Sequence, residues 1–124
     1  MEKKNRPLSP HLQVYRLPLT GLMSISHRIT GVLLTLGLVV FVYLLYAVAN
    51  GESSFASLQV FMNFWLVKLF SWLLLYALFF HLCHGVRHLI WDYGLGLEKE
   101  QITQHNQIEI ASSVFLTFVM VILV

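Results

Sequence analysis

Three long apolar runs alternate with polar segments along the chain, at about 22–49, 60–91 and 106–124. Crossing a bilayer takes roughly 20 consecutive apolar residues, and the backbone in lipid must satisfy its hydrogen bonds within each segment. The pattern therefore predicts an all-α membrane protein in which three transmembrane helices form one domain, residues 22–124.

The polar segments predict how the helices are oriented. Residues 1–21 contain all three prolines and several Lys and Arg residues, which predicts an extended arm on the cytoplasmic side. The turn NGESS and the C-terminus are then periplasmic, and the loop DYGLGLEKEQITQHNQ is cytoplasmic. The N-terminus shows neither a cleavable signal nor a transit pattern, which favours a bacterial inner membrane.

The composition argues against a soluble domain and against a nucleic-acid-binding protein. Of the 124 residues, 57% are hydrophobic and 11% are charged, which does not suit a soluble domain. A net charge of +2 without a basic patch predicts no nucleic-acid partner. Cys83 is the only cysteine, so it cannot form an intrachain disulfide, and a small buried apolar role is favoured over a ligand role.

The second run ends in FFHLCHGVRHLIWD, which is unusually rich in ionisable groups. At 100° per residue, four side chains form one stripe, with His84 at its edge and Arg87 pointing well away. The stripe consists of His81, Gly85, His88 and Asp92. A charge at membrane depth costs about 2.5–3.5 kcal/mol, so we expect the stripe to face the protein interior.

Two interpretations of the stripe stay open. Snorkelling to the cytoplasmic headgroups suits Arg87, His88 and Asp92. It suits His81 less, because this residue lies about a turn and a half deeper. Gly85, one turn from His81, opens a groove in which a flat ligand fits, and an imidazole coordinating haem iron inside a helix bundle matches this combination.

The first run opens with SISHRITG, which carries a second stripe of Ser24, Arg28, Gly31 and Thr35, with His27 at its edge. An N-cap serine with a snorkelling arginine is the structural alternative. Two polar stripes at one membrane depth favour a shared cavity. There Arg28 and His27 suit carboxylates such as haem propionates, and Ser24 with Arg28 suits a quinone carbonyl.

The segments RPLSPHLQVYR, SISHRITG and HLCHGVRHLIWDYGLGL, in this order, resemble the cytochrome b subunits of succinate dehydrogenase, respiratory complex II. The resemblance implies a membrane anchor that packs with a second three-helix anchor. Together they hold the iron–sulfur and flavoprotein subunits, often as a trimer of the whole assembly. It also implies electron transfer from succinate oxidation to ubiquinone, with no succinate-oxidising site in this chain.

Site residues follow from the same resemblance. His81 matches the axial ligand of a haem b shared with the partner anchor, which supplies the second ligand. Ser24, Ile25 and Arg28 match the ubiquinone site. The haem contacts implied are His27, Arg28, Gly85 and His88.

Other functions remain open at this point. A fumarate reductase anchor would run the same chemistry backwards with menaquinol. A proton-relay or transport subunit would use His81, His84, His88 and Asp92. A purely structural anchor would have a degenerate haem site. Within the haem hypothesis, His84 is a second candidate ligand, about 60° away from the stripe.

Overall fold

The computed structural model describes residues 16–123, which form four helices and contain no strand. They are α1 (Leu19–Ala49), α2 (Glu52–Met62), α3 (Trp65–Asp92) and α4 (Lys99–Leu123). By length and composition, α1, α3 and α4 can each cross a membrane. The predicted all-α membrane fold with three spans is therefore confirmed, whereas residues 1–15 of the predicted arm lie outside the described part.

Helix α1 begins directly after Pro18, whose fixed φ and missing N–H suit a helix start. It continues without interruption to Ala49, and Asn50 follows as its C-cap. Gly51 then adopts φ 94°, a conformation that favours glycine, and turns the chain into the next helix.

Helix α2 was not predicted from the sequence. Residues 52–62 merge in composition with the apolar run that follows, so the pattern suggested a short turn and one long helix. The structure breaks this run at Asn63 and Phe64, and α3 begins at Trp65.

The connection from α3 to α4 is shorter than the polar composition indicated. Gly94 (φ 75°) and Gly96 (φ 73°) turn the chain after Asp92. Helix α4 already begins at Lys99, so the polar stretch 99–105 is helical and not part of the loop.

Helix α3 packs against both α1 and α4. Two glycines of α1 allow α3 to come close. A Cβ at Gly31 would lie 3.2 Å from His81 Cε1, and one at Gly37 would lie 2.8 Å from Leu74 Cδ2. Most large apolar side chains of the bundle stay exposed, as expected for a surface that meets lipid or other membrane helices.

A candidate cofactor site in a cluster of histidines

Four histidine rings gather at one end of the bundle, one from α1 and three from α3. The His27 ring stacks on His81 with centroids 3.9 Å apart and an interplanar angle of 13°. Its centroid lies 4.6 Å from that of His84 and 5.7 Å from that of His88. His27 therefore stands at the centre of the histidine cluster, which consists of His27, His81, His84 and His88.

His81 is held against α1 by its Nδ1 atom. This atom lies 3.2 Å from the His27 carbonyl oxygen and 3.1 Å from Thr30 Oγ1, whose hydroxyl donates to the same carbonyl at 2.8 Å. The absence of a side chain at Gly31 lets the ring approach this closely. In the tautomer that donates Nδ1–H to the carbonyl, Nε2 keeps its lone pair.

His84 turns toward α4 and makes a hydrogen-bond contact there. Its Nδ1 lies 2.6 Å from Glu109 Oε1, and both side chains are buried. The other carboxylate oxygen of Glu109 accepts a hydrogen bond from Arg87 Nη1 at 3.0 Å. A buried carboxylate on α4 thus binds two side chains of α3.

The snorkelling interpretation of Arg87 is wrong. Arg87 is only 4% exposed and also donates to the side-chain oxygen of Asn106. Its guanidinium stacks over the Trp91 ring at 4.2 Å from the centroid. Arg87 points away from the predicted stripe, as the helical geometry indicated. That direction leads into the α3–α4 interface, where the carboxylate of Glu109 compensates the charge of Arg87.

The cluster offers imidazole nitrogens that could ligate a metal. One ring nitrogen from each of His27, His84 and His88 lies within 4.8 Å of the other two. The Nε2 atoms of His27 and His84 are buried and have no hydrogen-bond partner among residues 16–123. A Cβ added at Gly85 would meet nothing within 4 Å in this part of the chain, so α3 keeps an open surface beside the imidazoles.

The predicted quinone residues lie on α1 beside the cluster. Ser24 is half-buried, whereas Ile25 and Arg28 are exposed. Arg28 forms no ion pair with a carboxylate in residues 16–123. Asp92, the last residue of the predicted stripe, is exposed at the end of α3.

Three residues of this region were missed by the sequence analysis: Thr30, Asn106 and Glu109. A signal for Glu109 was available. It is a lone carboxylate that opens the apolar run IEIASSVFLTF, and ionisable residues in such runs usually have a partner inside the bundle. Thr30 and Asn106 carry no comparable signal, because short polar side chains are common in membrane helices.

Comparison with known proteins supports the resemblance seen in the motifs. Residues 2–123 match the family described as succinate dehydrogenase/fumarate reductase transmembrane subunit. The chain is 44% identical over 116 residues to the succinate dehydrogenase cytochrome b556 subunit of Paracoccus denitrificans, covering 94% of this chain and 89% of the relative. It is 33% identical over 117 residues to the b556 subunit of Rickettsia felis, covering 93% and 90%.

A relative of the b560 type shows the same likeness. The succinate dehydrogenase cytochrome b560 subunit of Reclinomonas americana is 41% identical over 104 residues, or 79% of this chain and 72% of the relative. Taken together with the three membrane-spanning helices, these similarities establish that the chain belongs to the succinate dehydrogenase cytochrome b membrane subunit family.

Proposed function

We propose that this chain is the haem b- and quinone-binding membrane anchor of a succinate dehydrogenase in a bacterial inner membrane, with its N-terminus cytoplasmic. The observation that carries the proposal is the hydrogen bonding of His81. Metal-ligating histidines usually donate their second ring N–H to a carbonyl or carboxylate, which fixes the tautomer and orients the ring. The contact between His81 Nδ1 and the His27 carbonyl oxygen supplies such a hydrogen bond.

His81 is accordingly the proposed axial ligand, with a partner anchor subunit supplying the second. The open surface at Gly85 leaves room beside it, and His27, Arg28 and His88 are the proposed partners of the haem carboxylates. Bound haem supplies one-electron redox chemistry, and the chain supplies position and electrostatics.

The quinone site is proposed on the exposed face of α1. Ser24 and Arg28 are four residues apart, so their side chains share a face and can both donate to a quinone carbonyl. The Arg28 guanidinium would stabilise negative charge that develops on this oxygen. Ile25 offers an apolar contact for the ring. Succinate oxidation would take place in the flavoprotein subunit, with the iron–sulfur subunit passing electrons to the anchor.

The first test is purification of the whole complex from native membranes, with identification of its subunits and a visible spectrum. We expect a b-type Soret band that is lost in His81→Ala. The control variant is His105→Ala, which removes a half-buried histidine of α4 and should keep the band. A Soret band of normal intensity in His81→Ala would disprove the ligand assignment. A complex that has no haem but moves protons would favour the relay function.

A second test separates quinone reduction from succinate oxidation. Arg28→Ala should lower succinate:ubiquinone activity by about 10–100-fold, because a hydrogen bond from a charged group contributes roughly 1.5–3 kcal/mol. Ser24→Ala should have a smaller effect in the same direction. Succinate oxidation by a soluble dye should not change. Normal quinone reduction in both variants would instead indicate a purely structural anchor.

A further inference from the structure

Glu109 is a buried carboxylate that the proposed haem and quinone sites leave unexplained. It belongs to α4, which contributes none of the proposed ligands, and it is 4% exposed. A carboxylate at such a position is expensive unless it is paired. Arg87 supplies the opposite charge through Nη1, 3.0 Å from Oε2. The ion pair therefore accounts for one oxygen of Glu109.

The other oxygen fixes an imidazole. Oε1 lies 2.6 Å from His84 Nδ1, and the His84 ring is 2% exposed. Because Arg87 holds the carboxylate from one side, Glu109 presents Oε1 to His84 in a defined direction. The ring also stacks on Phe80 with an interplanar angle of 13°. His84 is thus among the most constrained side chains of the cluster.

Ring contacts connect His84 to His27 and His27 to His81. The His84 centroid lies 4.6 Å from that of His27, and His27 stacks on His81 at 3.9 Å. The backbone carbonyl of His27 also lies 3.2 Å from His81 Nδ1. A displacement of the His84 ring would therefore reach His81 through a single intervening residue.

We propose that Glu109 is a positioning residue for His81, acting through His84 and His27. This inference rests on the proposed haem function. Groups that orient an axial imidazole tune the ligand field and the reduction potential of the iron, and they are not ligands themselves. Helix α4 would therefore set the properties of a haem that it does not touch.

The experiment compares variants in the purified whole complex by the low-spin haem signal in electron paramagnetic resonance and by redox titration. Glu109→Leu removes the acceptor of His84 and should shift the g values and the midpoint potential. Glu109→Gln keeps an oxygen acceptor and should keep the g values near those of the unchanged protein. The midpoint potential of the haem in Glu109→Gln should rise, since this variant loses a buried negative charge.

Ser113→Val provides the matched control for packing. Ser113 is fully buried on the same helix, one turn from Glu109, and its hydroxyl donates to the Ile110 carbonyl rather than to the histidines. The Ser113→Val variant should lower the thermal stability of the complex without changing the haem signal. If Glu109→Leu does not assemble, His84→Asn tests the proposed route, because it removes the ring that packs between Glu109 and His27.

Two results would overturn the inference. One is an unchanged haem signal in both Glu109→Leu and His84→Asn. The other is an equal shift in Ser113→Val, which would assign the effect to general packing. Either result leaves the haem proposal intact as long as His81→Ala still loses the Soret band, so the two failures are distinguishable.

Discussion

The two ends of the helix bundle are held together by different interactions. At the end that contains the histidine cluster, polar side chains join α1 to α3 and α3 to α4 through hydrogen bonds and an ion pair. From the middle of the bundle toward the opposite end, the helices of the described part meet through apolar contacts such as Gly37 against Leu74. We name these regions the polar end and the apolar end.

Burial follows the same division. Within residues 16–123, the buried polar side chains lie at the polar end: Thr30, His84, Arg87, Asn106, Glu109 and Ser113. At the apolar end, Ala47 is buried, whereas side chains such as Phe41 and Tyr46 are more than half exposed. Lipid is as apolar as these side chains, so association there gains little from the hydrophobic effect. The polar end therefore specifies how the helices of this chain pack.

The largest expected effect comes from the ion pair at the polar end. Arg87→Leu leaves Glu109 buried without its cation and should cost about 3–5 kcal/mol of unfolding free energy. The double variant with Glu109→Leu should recover part of this loss, because no unpaired charge remains. Thermal unfolding of the purified complex in detergent measures both, and a loss below roughly 1 kcal/mol in the single variant would contradict the structure.

Matched glycine substitutions in α1 test whether the two ends differ in function. Gly31→Val and Gly37→Val both overpack the contact with α3, so each should cost about 1–3 kcal/mol. Only Gly31→Val should change the haem spectrum, since its side chain collides with the His81 ring. Equal spectral changes in the two variants would show that the haem responds to helix separation in general.

A third substitution probes the open surface at the polar end. A Cβ at position 85 would meet nothing within 4 Å in the described chain, and Gly85→Leu replaces a helical glycine, so stability should rise by up to about 1 kcal/mol. Haem content in the assembled complex should nevertheless fall, because the side chain fills the proposed cofactor space. Full haem content, measured by pyridine haemochrome, would place the cofactor elsewhere.

The smallest effect is expected at the apolar end. Lys68 is exposed near the start of α3, where its long side chain can reach the headgroup region. Lys68→Leu should change the unfolding free energy by no more than about 0.5 kcal/mol. The same thermal assay measures this change, and a loss comparable to that of Arg87→Leu would remove the distinction between the two ends.

The sequence predicted the elements whose signal is local. The three spans follow from run length, and the stripe on α3 follows from helical spacing. Two polar stripes at one depth predicted a cavity shared by the first and second spans, and the structure brings His27 and His81 of these spans into contact. Helix α2 was missed because its residues merge with the apolar run of α3, and no signal other than Asn63 separates the two helices.

Run length and helical period predicted three membrane spans and a concentration of imidazoles where the second span ends, since both signals come from neighbouring residues. The pairing of the polar groups depends instead on how the helices pack. Glu109 is 22 residues from Arg87 along the chain and 25 from His84. Helical spacing does not encode such distances, because the loop and the packing of α4 on α3 set them.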